Sequence, residues 1–554
     1  MNRKDELLGQ VWSDVMDSLP HHVRQTKLVE PQEGGAVLTA ARIALEGLGA
    51  TYAQAMGSYA WLFGLRRVPD NLTSARLTWA GAYNRRVAEA LSTFSTAPED
   101  FPAPQSMQHR VPDISKEAAE ALVRMCGLAV CLSSVHSALR RAGKGESIQL
   151  RRDNLPWSVP DRDLDEAIET YDRRVDVDSG LVSGTRTLRI VPFFVRLDQP
   201  VAPHRSIIYV SMLDAKREVP TWSGALAGSP KVRLKTGRFH VSAATVEISS
   251  LFESAKYSAT WSPSRLSSVV LLLRVLFILA YTTERGLGFS LPTVGYTIIA
   301  TQTLKDLLQA GIEAINRNEL YIGPFGVPES AEVAFNELSD AAPRLWPLAA
   351  GPVIRQAGEM SVVDVSSASM LLNDLLTVTN SEPAVLRNAR GSDFELYTQS
   401  LIDLSPWRPP APLGKLRGRT LKLGGIAVTD IDAIAIVEDV VILISCKSIL
   451  HTSDSDSGEY RNVRNIRTLL ENADQRWSSV VSRLRDDPIG DNYDFSGYRL
   501  VGVVCTPHVE FVLPQQLRAV IGPDKCGNSI RAVSSLSEIM AFIIANESRV
   551  EISC

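Results

Sequence analysis

Residues 428–449, VTDIDAIAIVEDVVILISCKSI, restrict the folds open to this chain more than any other stretch. Two apolar, β-branched runs meet at Glu438 and Asp439, a pattern that predicts a β-hairpin. Both runs are apolar on both faces, as central strands covered by helices are. A two- or four-residue loop sets Asp432 opposite Ser445 and Asp430 opposite Lys447, about 5 Å apart across the ladder. An odd loop would slip the register by one residue and separate these pairs. Strand parity puts Asp430 and Asp432 on one face and Ser445 with Lys447 on one face, while Cys446 turns away as a packed thiol. Four polar groups therefore converge at one end of a greasy hairpin, where burial is costly without a purpose.

The flanking sequence supplies the rest of a fold. SDFELYTQSLIDL from Ser392 reads as a helix, RTLKLGG as a strand, and AVTDIDAIAIV and VVILISCKSI as the hairpin strands. NVRNIRTLLENADQRWSSVVSRL reads as a long helix, YRLVGVVCTP as a strand, and alternating helix and strand follow. This order predicts an α/β domain over 385–554, a central mixed sheet flanked by helices. At 554 residues the chain exceeds what one core of about 250–300 residues holds, so more domains precede it. Residues 1–148 show helical periodicity, including SKEAAEALVRMCGLAVCLSSVHSALRRAG bounded by Ser115 and Gly143. Residues 149–255 have short β-like runs between Pro, Gly and charged turns. Residues 256–384 return to helical patterns, VGYTIIATQTLKDLLQAGIEAI among them. The expected architecture is a large, mainly α-helical N-terminal region with a small β-rich insert, followed by the α/β domain.

Composition narrows the function classes. A net charge of −4 lacks the basic excess of a protein that coats nucleic acid, so any such contact is local. Six scattered cysteines without a CxxC pair read as free thiols of a reducing compartment, and a cytoplasmic location is expected. The opening MNRKDELLGQVW carries acids and does not read as a signal peptide. The longest apolar run, 269–281, is interrupted by Arg274 and falls short of the roughly 20 residues of a membrane span. It predicts a buried core helix and no membrane partner. There is no GxxxxGK[ST], HExxH or GxSxG motif. His21 and His22, with no carboxylate or cysteine at ligand spacing, read as a solvated loop.

Two carboxylates and a lysine at a sheet end are what phosphodiester hydrolysis requires: acids hold Mg²⁺ and a lysine positions the attacking water or stabilises charge on phosphorus. Asp432, followed by a strand, a turn and Ser445, Cys446 and Lys447, resembles the PD-(D/E)xK nuclease superfamily, which has the restriction-endonuclease-like fold. GSDFELY, with Glu395, is similar to that family's acid-bearing first helix. The family places Asp or Glu where this chain has Ser445. An S-x-K variant takes the missing acid from a following helix, and Glu459 stands eleven intervening residues beyond Lys447. The resemblance implies catalytic Asp432, Lys447, Ser445 and Glu395, with Asp432, Glu395, Asp430 and Glu459 as candidate ligands of Mg²⁺ or Mn²⁺. Against these stand plainer roles: Ser392 and Glu395 as a capping box, Asp430 as a solvated strand-entry residue, and Glu459 as a helix-start acid.

Arg461, Arg464 and Arg467 recur at three-residue steps opposite the apolar stripe of the long helix and can neutralise phosphates. Lys415, Arg417 and Arg419, with Lys422, can track a backbone beside the first strand. Gln475 resembles a polar helix residue that some family members use, and His508 follows the last strand. The expectation is a metal-dependent DNA endonuclease of bacterial restriction or anti-phage defence, with the N-terminal region recognising a target or partner. DNA, other defence proteins and a homo-oligomeric partner are expected. The alternative is a degenerate nuclease fold used as a binding or scaffold module.

Overall fold

The structure, a computed structural model, describes residues 3–19, 21, 24, 27–66, 78–98, 113–151, 154–184, 191–192, 205–215, 231–233, 239–248, 263–282, 295–323, 326–339, 345, 351–377, 384–449, 458–524 and 529–546. His22, Cys526 and Cys554 lie outside them.

The first segment contains α1 (Arg3–Ser18), β1 (Lys27–Val29), α2 (Pro31–Ala53), α3 (Ser58–Leu65), α4 (Thr78–Leu91), β2 (Asp113–Ser115) and α5 (Lys116–Lys144). α5 shows why its ends fall where they do. Ser115 Oγ accepts from Ala118 N at 3.1 Å, and Gly145 takes φ 113°, a conformation that costs glycine little. Among the described residues α5 is the helix long and apolar enough to cross a bilayer, but 61% of its most apolar window is buried within the fold.

The second segment contains β3 (Ile148–Arg151), β4 (Asn154–Ser158), α6 (Arg162–Gly184), β5 (Val191–Pro192), β6 (Ser206–Ala215), β7 (Lys231–Arg233) and β8 (Phe239–Glu247). A sheet is expected there, and β5-β8-β6 forms one. The 23-residue α6 is a correction to the β-rich expectation. Leu164, Ile168, Tyr171 and Val175 recur at helical spacing, and Asp161 Oδ1 caps the first turn through Asp163 N and Leu164 N. The boundary expected at 148/149 falls inside β3, which pairs back to β1.

The third segment contains α7 (Pro263–Thr282), β9 (Tyr296–Ala300), α8 (Thr301–Asn316), α9 (Ala331–Ser339), β10 (Ile354–Ala357), β11 (Met360–Asp364) and α10 (Val365–Thr377). α7 is the core helix expected from the apolar run, its residues Val269–Phe277 buried around Arg274. The segment is not wholly helical, however: β10-β11-β9 form a sheet, and Tyr296–Ala300 of the expected helix is a strand. Its Tyr, Thr and Ile side chains favour β structure, and pairing with β11 completes the choice. A buried ion-pair network ties segments together, with Arg66 Nη2 donating to Glu89 Oε2 at 2.7 Å and Asp364 Oδ2 at 2.8 Å.

The C-terminal unit contains α11 (Ala384–Asp403), α12 (Ala411–Gly414), β12 (Leu421–Leu423), β13 (Ile426–Thr429), β14 (Ala433–Val437), β15 (Val440–Cys446), α13 (Tyr460–Asp486), β16 (Arg499–Thr506), β17 (Ala519–Ile521), β18 (Ile530–Arg531), β19 (Val533–Ser535) and α14 (Leu536–Ala545). The sheet order is β14-β15-β16-β19, with β14 antiparallel to β15 and the others parallel. It is a mixed α/β layer structure. Ala433, Ala435, Ile442 and Ile444 face Phe394 of α11 and Phe542 of α14; Ile434, Val441 and Leu443 face Leu470, Trp477 and Val481 of α13. Burial on both faces explains why the strands carry apolar residues at every position.

α6 docks this unit onto the upstream chain. Ala167, Ile168 and Tyr171 pack with Val463, Val509 and Phe511, and Arg174 makes two hydrogen bonds to Glu538 of α14 at 2.7 and 2.8 Å. Lys144 Nζ sits 4.8 Å from the Tyr171 ring centroid and 5.5 Å from that of Phe511. Backbone meets backbone between α5 and the loop before α13: a Cβ on Gly143 would come within 2.5 Å of the Gly458 carbonyl oxygen.

Candidate active site at the sheet end

Val437 pairs with Val440 and Ala433 with Ile444, so the turn is the two-residue loop Glu438 and Asp439 and the register is the expected one. Glu438 takes φ 53°, as the first position of a tight hairpin turn requires. Asp439 is tied to the next strand by two hydrogen bonds from Arg499 at 2.8 and 3.0 Å. The ladder stops one rung short of Asp432, and this is a correction. The expected single strand through Asp430 and Asp432 is two strands, β13 and β14, broken at these acids. Asp430 is exposed and does not pair with Lys447.

Asp432 stays with the hairpin through its side chain. Its Oδ2 accepts from Cys446 N at 2.7 Å and from Ser445 Oγ at a longer 3.4 Å. Lys447 Nζ donates to Ser445 Oγ at 2.9 Å and to the Cys446 carbonyl at 3.1 Å. Ser445 therefore bridges lysine and aspartate. Lys447 N donates to the Cys505 carbonyl at 2.8 Å, so β16 fixes the backbone that carries the lysine. The group lies at the carboxyl ends of parallel strands β15 and β16, where open α/β sheets place ligands. Cys446 points to the opposite face and packs in the core, as parity requires.

Glu395 comes from α11. Because this helix begins at Ala384, Ser392 and Glu395 lie within it, and the capping-box role is ruled out. Burial and then the charge of Asp432 push the Glu395 carboxyl above the ordinary carboxylate range, with Lys447 opposing. Burial pushes Asp432 up as well, against the Cys446 N–H, Lys447 and Ser445, and Asp430 adds to the rise. Glu395, Asp432 and Lys447 thus share one electrostatic neighbourhood.

Gln399, one turn after Glu395, is a residue the sequence reading missed. Its Oε1 accepts from Ile434 N at 2.8 Å, while its Nε2 donates to the Ile434 carbonyl at 3.3 Å and to Asp403 at 2.7 Å. The amide occupies both main-chain polar groups of Ile434 on edge strand β14 and sets α11 against it. The available signal was the i, i+4 spacing to Glu395.

Glu459 is not used at the site. It caps α13, accepting from Asn462 N at 2.7 Å, while the preceding Gly458 packs on α5. Arg461 and Arg464 are exposed, but Arg467 is partly buried, with Glu471 3.4 Å away and Nη1 near Gly145. The three arginines therefore do not form one open face. Gln475, Lys415, Arg417, Arg419 and Lys422 are exposed, Arg417 beside Asp403 at 3.4 Å. His508 is half-buried, and its carbonyl accepts from Thr506 Oγ1.

Among the described residues no three His, Cys, Asp or Glu side chains gather closely enough to form a metal cage. The arrangement does fit Mg²⁺, which keeps several waters and commonly uses one or two carboxylates. Asp432 and Glu395 each gain from a cation, because burial disfavours both ionised forms, with the charge of Asp432 adding to it at Glu395 and that of Asp430 at Asp432. The chain matches no family model, no curated protein and no solved structure.

Proposed function

We propose that residues 385–554 form a restriction-endonuclease-like domain of the PD-(D/E)xK superfamily and that the protein is a metal-dependent DNA endonuclease. The observation that carries this reading is the convergence of Asp432, Glu395 and Lys447 at the carboxyl end of a buried sheet, with Ser445 bridging lysine and aspartate. Asp432 and Glu395 would hold Mg²⁺ or Mn²⁺, which when bound polarises a phosphoryl oxygen and makes its water more acidic. Lys447 is placed to orient the attacking water or to offset charge on phosphorus. Ser445 holds the ammonium away from direct pairing with Asp432 and leaves Asp432 Oδ1 available to a ligand.

The N-terminal region, mainly helical and locked to this domain through α5 and α6, serves as the recognition part. Restriction or anti-phage defence in the cytoplasm suits a large sensing region fused to such a nuclease. A second reading, a degenerate nuclease fold acting as a binding module, is favoured by the hydroxyl of Ser445 where the family carries a carboxylate. Plasmid cleavage in Mg²⁺ or Mn²⁺ by the wild type, Asp432→Ala and Lys447→Ala separates the two. Nicking by the wild type with losses of about 10²–10⁴-fold in both variants supports catalysis. Equal cutting by all three removes Asp432 and Lys447 from the catalysis, and no cutting by any leaves the binding module.

A further inference from the structure

β12 and β13 form a two-stranded ribbon outside the main sheet. Its turn is Gly424 and Gly425, both in the left-handed region at φ 58° and 80°, which glycine adopts at little cost. The ribbon is held rigid from outside. Asp491 accepts from both turn amides, Gly424 N at 3.0 Å and Gly425 N at 2.7 Å, and its own N–H donates to the Lys422 carbonyl at 2.8 Å. Asn492 accepts from Lys422 N and donates to the Thr420 carbonyl, both at 2.9 Å. Gly490 allows this approach, since a Cβ there would come within 2.6 Å of the Lys422 carbonyl oxygen.

What this fixed turn presents is apolar. Ile426 is 65% exposed and is followed by exposed Ala427, while exposed Lys415, Arg419 and Lys422 lie on the same ribbon and its approach. A loop whose backbone is this fully tied has no internal reason to hold an isoleucine in water. Lys422 pairs across the ribbon with Ala427 and Ile426 with Leu423, so the cation and the isoleucine leave opposite faces, an arrangement that suits a nucleic-acid groove with bases to press against on one side and phosphates to neutralise on the other. Two-stranded ribbons also fit the major groove.

We propose that the β12–β13 ribbon enters a groove of duplex DNA, with Ile426 wedged against the base stack and Lys422, Arg419 and Lys415 on the flanking phosphates. This rests on the nuclease reading above and adds the contact by which the duplex is gripped. Asp432 is six Cα steps from Ile426, a reach of at most about 20 Å. The wedge therefore lies within roughly six nucleotides of the scissile phosphate.

The test uses the full chain in Ca²⁺, with duplexes carrying 2-aminopurine at successive positions. Wild type is expected to bind and to raise the fluorescence of a probe within that distance of the cut site. Ile426→Ala should lose this rise and about tenfold in affinity while keeping the salt slope. Lys422→Ala should lower the slope by about one and keep the rise. Wild type that binds no duplex sinks the nuclease reading itself. Wild type that binds, with Ile426→Ala indistinguishable in affinity and fluorescence, overturns only the wedge. A change in oligomeric state in Ile426→Asp without loss of DNA affinity overturns it in favour of a protein partner.

Discussion

The main-chain N–H of Cys446, two residues past the last paired rung of β14 and β15, donates at 2.7 Å to Oδ2 of Asp432, one residue past that rung on the other strand. A side chain thus continues the ladder where the backbone has left it. Asparagine can accept the same bond through its amide oxygen, whereas alanine leaves a partly buried N–H unmet. Asp432→Asn is expected to unfold at the wild-type temperature or above, and Asp432→Ala to lose about 1–3 kcal/mol. Both should lose about 10²–10⁴-fold in cleavage. Denaturant melts at pH 7.5 without metal check the difference.

Stability should depend on pH through the same acids. A carboxyl whose folded pKa lies above its unfolded value keeps its proton more firmly in the fold. Its contribution is complete below the unfolded value, about 4, and is lost as pH rises through the raised folded value. Asp432 and Glu395 are both raised, so metal-free protein should lose stability through this window. A divalent cation should restore it, and the Mg²⁺-induced rise in Tm should be larger at pH 8 than at pH 5. Equal rises at both pH values would refute the two-carboxylate site.

Ser445 is expected to act by positioning. Ser445→Ala should fold normally and cleave about 10–100-fold more slowly, the range of residues that orient a catalytic group. Ser445→Asp should tighten Mg²⁺ binding, measured by calorimetry, because it adds a carboxylate beside Asp432. No change in metal affinity would argue against the ion lying at this end of the hairpin.

The docking of α6 has its own test. Arg174 and Glu538 are 5% and 9% exposed, and removing Arg174 leaves the buried Glu538 carboxylate with only Arg531 at 3.6 Å and the Ser535 N–H to offset its charge. Arg174→Ala should cost about 3–5 kcal/mol and make the α6 region sensitive to limited proteolysis. Gly458→Ala, with φ 77° and a carbonyl 2.4 Å from the new Cβ, should loosen the same junction from the α5 side. Unchanged melting in both variants would show that the contact holds nothing together.

The arginines of α13 should separate by exposure. Arg464→Ala should lower the salt slope of DNA binding by about one, and Arg467→Ala should change it little, since Arg467 lies beside Glu471 and α5. Fluorescence anisotropy across a salt series distinguishes them.

The hairpin was legible because its information is local. Two apolar runs, a polar turn and parity determine the register of β14 on β15, and the structure has that register from Ala433–Ile444 to Val437–Val440. α6 carried its stripe of Leu164, Ile168, Tyr171 and Val175 in plain view, yet the surrounding acids and turn residues outweighed it. β9 was misread for a different reason: Tyr296–Ala300 suits helix or strand, and its partner β11 lies some sixty residues away.

The sequence by itself determined the register of β14 on β15, the parity that separates Lys447 from Cys446, and the burial of both sheet faces. These follow from a period of two and from apolar residues that water excludes. Only the tertiary structure decided which acid joins Asp432. Glu395 feels the charge of Asp432, and Gln399 fixes α11 on the sheet edge beside it. Glu459 does not join it, because it caps α13 while Gly458 is pressed against α5. Sequence distance cannot rank these acids, since the contacts that bring one in and hold the other away come from helices packed across the whole chain.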